Sequence, residues 1–367
     1  MADISRIEPT QLPNGLWLNG NEYAADGVEE AAGVLSLVTG ETDGYRVGPE
    51  LDLGAISRAD SSKLEWTSSG DVEVLAAVSE TSAQGCMEFD GVDDIVQNFG
   101  LSGLQGTGAK TISCWFYYAM TGSTEGYFSL SSSSVAGGSI NFATESDSAQ
   151  VRFRRAVRIT LQEELNTGWN YINISYPNSA TTNDVIVYLN GSLADVSYPS
   201  VTTIDLIDSD LRIGYTFADS LYGKSKIYDF RLFSRQLSQE ENNSLYNFNN
   251  ITDGLVGHWP LDDTGSTARD LSGNNNDGTI VGASYSPDNP LLQPATNGQA
   301  IPGISINDDL TGKKLYTQQR LSRDTTGDPS PTLTELKATV EGAGGALPLI
   351  NGGLIRSAHT QNNTMIR

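Results

Sequence analysis

The chain has 367 residues and carries 22 Lys+Arg against 45 Asp+Glu, a formal net charge of −23. A field of that sign repels nucleic acid and anionic lipid, which argues against binding either, and no apolar run approaches the ~20 residues of a membrane-crossing helix. Charged residues make up only 18%, Gly numbers 38, and short β-branched and aromatic runs between Gly, Asn, Asp and Ser clusters predict an all-β fold.

Residues 1–35 include "PNGLWLNGNEYAADGVEEAAG", which is Gly-rich and shows no clear period, so they read as an N-terminal arm. The opening "MADISRIEPTQLPNG" lacks the basic-then-apolar layout of a secretory signal, and folding in a cytosol is expected. Residues 36–85 then offer two strand-like runs, 62–67 and 71–79. In the second, Val72, Val74 and Ala76 alternate with Glu73.

From Cys86 the strand signals become regular. "CMEFDGVDDIVQNFG" places Met87 and Phe89 on one face before an Asp-Gly turn. "KTISCWFYYAM" has large residues on both alternations, as a central strand covered on both sides requires. In "NDVIVYLNGSLADVSYP" the Asn190-Gly191 pair supplies the two positive-φ residues of a type I′ hairpin. "SDLRIGYTF" and "GKSKIYDFRLFSRQ" are two more strands. Ser238 with Glu241 three residues on forms a capping box for a short helix in "LSQEENNSLYN". Cys86 and Cys114 make no disulfide framework and read as small buried residues. With only His258 and His359 in the chain, a His-rich zinc site is excluded and His-based catalysis fits poorly.

After residue 252 comes "DGLVGHWPLDDTGSTARDLSGNNNDGTIVGA". Farther on, Leu315, Thr317, Gln319 and Leu321 form one strand, and Leu333, Leu336, Ala338 and Val340 form another. Neither 36–85 nor 295–342 has the apolar surface to fold alone. Residues 343–367, "AGGALPLINGGLIRSAHTQNNTMIR", read as a C-terminal tail.

In order, "MEFDGVDDIV", "KTISCWFYY", "GWNYINISY", "VIVYLNGSL", "LRIGYTF" and "IYDFRLFSRQLSQEENNSLYN" resemble the laminin-G-like, concanavalin-A-like jelly roll over residues 86–252. Residues 253–294 resemble that family's usual first strand, displaced to the end. Either they fill that place by circular permutation, in the same sandwich or a neighbour's, or they begin a truncated second jelly roll; permutation is favoured. The stretches 36–85 and 295–342, joined, resemble a small β-sandwich module of phage and bacterial surface proteins. The expected architecture is therefore a concanavalin-A-like jelly-roll sandwich inserted into a second, discontinuous β-sandwich.

The resemblance implies chemistries to weigh. Concanavalin-like glucanases need paired carboxylates on one strand face, about 5–5.5 Å apart for retention. Asp71 and Glu73 alternate but lie in the other module, while Glu163 and Glu164 are adjacent and point to opposite faces, so no catalytic residue is expected. Relatives often bind Ca²⁺ at the rim, which makes Asp90 in "FDGVDD" and Asp229 in "IYDFRLF" the metal candidates. Glycan recognition would use exposed aromatic platforms, with Tyr127, Tyr215, Phe217 and Tyr222 as candidates near predicted loop ends. Arg152, Arg154, Arg155 and Arg158 read as a solvated strand face or as the acceptor of a neighbour's acidic patch.

Together these features point to a structural protein of a bacteriophage virion: a capsid decoration protein, head fibre, or tail or collar appendage. The expected partners are other virion proteins, met through termini and sheet edges in a homo-oligomer, and host-surface or environmental glycans. The alternatives are a carbohydrate-binding module or glycoside hydrolase of the concanavalin-like class, and a protein of the bacterial cell surface.

Overall fold

The computed structural model describes residues 24–344 and 354–358, apart from 27, 32–33, 49, 55, 81, 99, 102, 121, 134, 146–147, 154–156 and 199. The chain divides into two units. Residues 85–288 form one, inserted into the other, which is built from 1–84 and 289–367.

The discontinuous unit consists of two sheets. Lys314–Ser322 is the spine of the first, with Asp71–Ser79 on one side and Asp43–Val47 on the other. Its apolar alternation decides which face turns inward: Leu315 and Leu321 enter the core with Val74 and Ala76. In the second sheet Thr332–Gly344 runs antiparallel to Ile56–Ser69 along nearly its whole length. Leu64, Leu333 and Val340 join the same core. Each strand of these two long pairs comes from the opposite side of the insertion, so neither half could close its backbone hydrogen bonds alone.

Part of the N-terminal stretch that reads as an arm is structured. Ala24–Asp26 pairs with Asp43–Val47, and Val28–Ala31 forms a hairpin with Val34–Leu37. Leu35 and Leu37 alternate with Ser36 and are buried, a short period-2 signal that the surrounding Gly-rich sequence obscures. Residues 1–23 and 359–367 lie outside the described residues. In the expected tail, Leu354–Ala358 is a strand.

The inserted unit is a sandwich of an eight-stranded and a nine-stranded sheet. Lys110–Tyr118 lies at the centre of the first, between Gly168–Tyr176 and Lys224–Phe233. Ile112, Cys114 and Phe116 enter the core between the sheets. The alternate face is covered too, where Trp115 stacks on Tyr246 and Phe248, in and just after the helix Gln239–Tyr246. Ser238 caps that helix and Glu241 closes the capping box. Asn190 and Gly191, at φ 51° and 80°, turn the hairpin between Ile186–Leu189 and Ser192–Leu193. Cys86 and Cys114 are free and buried.

Residues after the helix serve both sheets of this unit. Leu255–Trp259 pairs with Lys224–Phe233, Ser284–Ser286 with Cys86–Asp90, and Gly278–Val281 with Ile95–Asn98. The division between units falls after Asp288, and Gln293–Pro294 already pairs with Asp71–Ser79 of the other unit. Among the described residues no helix is long and apolar enough to cross a membrane.

Candidate functional site

The nine-stranded sheet of the inserted unit has one face in the core, carrying Phe128, Ile140, Phe142, Val151, Ile159, Leu211 and Ile213. Strict alternation sends their neighbours to the other face. Strand register aligns those neighbours into one row, Gln97, Arg212, Ser129, Asn141, Arg152 and Arg158, across six strands. A polar row on a sheet face away from the core is ordinary. Here its middle is buried, with Ser129, Asn141 and Arg152 at 1%, 0% and 2% exposure. Buried polar groups need partners, and a hairpin supplies them.

That hairpin joins Tyr215–Thr216 to Leu221–Tyr222. Ser129 Oγ lies 2.8 Å from Asn141 Oδ1 and 3.0 Å from the Tyr215 carbonyl, and accepts the Phe217 N–H at 2.6 Å. Asn141 Oδ1 accepts the Ala218 N–H at 3.1 Å. Arg152 binds Asp219 through Nη1, Glu145 through Nη2 at 3.1 Å and Gln150 through Nε at 3.0 Å. Arg158 reaches the same Glu145 carboxylate. The hairpin is thus clamped to the sheet by bonds to both carboxylate and backbone.

Close approach at its base depends on two glycines. A Cβ on Gly223 would fall 1.9 Å from the Gly126 carbonyl oxygen, and one on Gly126 would fall 2.7 Å from that of Leu221. Gly223→Val is therefore expected to lift the hairpin while leaving the sheets paired. Proton NMR would show loss of the mutual ring-current shifts of Tyr215 and Tyr222 with little change in the far-UV spectrum.

Three of the four aromatic candidates meet on this hairpin. The Tyr215 and Tyr222 rings lie 4.8 Å apart, and the Arg212 guanidinium sits 6.0 Å from the Phe217 ring centre. All three rings are half-buried, so each keeps some surface in water. Tyr127 is the exception. It is 1% exposed and packs against Phe116 and Phe142, with its phenol pKa raised chiefly by burial. A register shift between Gly126 and Phe128 marks a β-bulge that turns Tyr127 inward, so it is no platform for a ligand.

The two metal candidates do not meet. Asp90 pairs with Lys224 at the start of Lys224–Phe233, and Asp229 lies five residues along the same strand, about 16 Å away at ~3.3 Å per residue. Asp229 is 3% exposed, and its Oδ1 receives His258 Nε2 at 2.7 Å and Arg231 Nε at 3.0 Å. Burial alone would raise its pKa, but the Arg231 charge and the His258 hydrogen bond outweigh that and hold it at about 2. This carboxylate is an internal counter-ion, not a rim ligand. Asp90 instead groups with Asp93 and Asp94, whose carboxylate oxygens come within 4.8 Å of one another. Local bonds account for this group: Asp94 accepts the Asp90 N–H at 2.8 Å and Asp90 accepts the Val92 N–H at 2.7 Å, fixing the turn at Gly91.

Arg152 is likewise not a solvated side chain, and Arg154 and Arg155 lie outside the described residues. Sequence reasoning passed over Arg212, Ser129, Asn141 and Asp219. Nothing local marks them, because non-consecutive strands bring them into one row.

No curated protein matches the chain. Solved structures similar to it include a protein assigned as carbohydrate-binding from Bacteroides ovatus ATCC 8483, at 13% identity and a TM-score of 0.41, covering 59% of this chain and 62% of that one. Domains LG4-5 of the mouse laminin alpha1 chain align at 9% identity and a TM-score of 0.33, over 44% of this chain and 45% of that one. A heptameric SAP-like pentraxin from Limulus polyphemus aligns at 11% identity and a TM-score of 0.34, over 59% of this chain and 97% of its own. The chain thus spans less than two thirds of the Bacteroides and laminin chains. Residues 90–241, within the inserted unit, match the model of the concanavalin A-like lectin/glucanases superfamily.

Proposed function

We propose that residues 85–288 bind carbohydrate without cleaving it, and that the whole chain is a structural protein of a bacteriophage virion carrying this lectin-like unit. The observation that carries the binding reading is the hairpin itself. Tyr215, Phe217 and Tyr222 share one small, well-anchored element beside Arg212, and each ring keeps a surface on which a sugar face can stack. Anchoring matters because a platform that is already ordered loses little entropy on binding.

Binding is favoured over hydrolysis by where the carboxylates are committed. Glu145 and Asp219, the acids beside the polar row, are both engaged in ion pairs with Arg152, and Glu145 with Arg158 as well, so neither stands free to face a scissile bond. The virion reading rests on the acidic composition and on the likeness of the discontinuous unit's strands to modules of phage surface proteins. Copies assembled on a particle would turn weak single-site affinity into firm attachment by multivalency.

The test is a glycan array on the intact chain, followed by titration calorimetry on the best ligand. Tyr215→Ala and Tyr222→Ala should each weaken binding about 3- to 10-fold, the worth of one aromatic contact. Binding that is unchanged in both variants, or reducing ends released from the ligand, would sink this reading.

A further inference from the structure

Among the described residues, the discontinuous unit contains a parallel pairing that its own covalent connection barely permits. Leu354–Ala358 lies beside Thr332–Gly344 in parallel, with Lys337 opposite Leu354 and Glu341 opposite Ala358. To reach this register the chain must leave Gly344, travel back past seven residues to the level of Lys337, and re-enter the sheet in the original direction. At ~3.3 Å per strand residue the return alone is about 23 Å. Residues 345–353 are all that is available for it, and they span roughly 33–36 Å when fully extended from Gly344 to Leu354. Two reversals of direction must come out of the difference. Parallel neighbours ordinarily need a crossover of about a dozen residues or more.

The edge that receives this strand is otherwise little used. On that side of Thr332–Gly344, among the described residues, Val34–Leu37 pairs with Thr332 and Leu333. The backbone beyond it offers a row of hydrogen-bonding groups that favours strand addition. A strand from another molecule can fill the same register with no short connection to close, and short strained connections are what promote exchange of an element between copies.

We propose that Leu354–Ala358 is an exchanged strand: in solution it pairs with the Thr332–Gly344 edge of a second copy of this chain. The occupant is the same five residues seen at that edge, so the register is kept and only the owner changes. The inference sharpens the assembly part of the reading above and rests on it; it is independent of glycan binding.

The experiment uses the paired positions Thr339 and Arg356. Both are changed to cysteine in the full chain, as T339C/R356C, and oxidised at low protein concentration. Cys86 and Cys114 are buried and do not compete. Non-reducing electrophoresis with intact mass then reports which chains are joined. Exchange predicts covalent species at multiples of the single-chain mass, and mixing T339C with R356C single variants should give the heterodimer. A crosslinked species of single-chain mass would overturn the proposal. So would the absence of any disulfide, because the pairing itself would then not form. Light scattering keeps the result interpretable: a chain ending at Gly344 should have a lower assembly state than the full chain, and equal masses would also overturn the proposal. Glycan binding by the inserted unit is read separately, so failure of one reading is distinguishable from failure of the other.

Discussion

Trp259→Ala is expected to lower the unfolding free energy of the inserted unit by about 3–5 kcal/mol, the range for removing a fully buried large aromatic side chain. Trp259 is 1% exposed, its Nε1 donates to the Asn276 carbonyl at 2.8 Å, and its ring lies 6.0 Å from Phe230. Gly257 is shaped around it, since a Cβ there would lie 2.1 Å from the indole. The residue belongs to a stretch that follows the helix yet supplies four strands to the sandwich. Ending this unit at Asn250 should therefore do more than weaken it. Cys86–Asp90 and Ile95–Asn98 would each lose a neighbour, and Phe230 would lose its cover. Urea unfolding followed by far-UV circular dichroism checks both: a shifted midpoint for Trp259→Ala and no cooperative transition for the shortened unit. A loss below about 1 kcal/mol for Trp259→Ala would mean that this stretch is an appendage and not part of the core.

Much of this architecture is legible in the sequence because local rules and tertiary packing agree. The Asn190-Gly191 turn, the Ser238 capping box and the two-sided burial of Lys110–Tyr118 all follow from residue types within a few positions of one another. The failures share a physical cause. A β-bulge inserts one residue and breaks the parity on which every face assignment depends. At Tyr127 a shift beside Gly126 turns an apparent outward ring into the core. At Asp229 the register against Lys110–Tyr118 slips between Ser113 and Trp115, so Ile227 and Phe230 both reach the core although three residues apart. The second bulge leaves a trace in "IYDFRLF", where an Asp breaks the apolar alternation. Asp is among the few residues that accept the positive φ seen there, 54°. The polar row leaves no such trace, since Arg152 and Asp219 are 67 residues apart and meet only through strand order.

Asp229→Asn is expected to cost about 3–5 kcal/mol, as when one partner of a buried ion pair is removed, because Arg231 would keep its charge at 1% exposure. Asparagine fits the space and tolerates the positive φ, so the loss reports charge and not shape. The same contact dictates how stability varies with pH. The Asp229 pKa falls from 3.8 in the unfolded chain to about 2 in the fold. Its contribution, about 2–3 kcal/mol, is present above 3.8 and disappears as pH drops towards 2, where the folded state also takes up the proton. His258 acts in the same direction over a higher window. Burial, and then the Arg231 charge, lower its pKa below 6.5 despite the bond to Asp229, so the neutral ring donates its Nε2 proton to that carboxylate. Below pH 6.5 the unfolded chain binds a proton that the folded chain refuses. Stability should therefore begin to fall there, by up to about 1.4 kcal/mol per pH unit, until the folded value is reached. His258→Gln removes that upper limb and keeps the lower one, whereas Asp229→Asn removes the lower one. Urea midpoints measured from pH 8 to pH 3 separate the two, and a wild-type profile with no fall as the pH drops below 6.5 would show that the fold does not lower the His258 pKa.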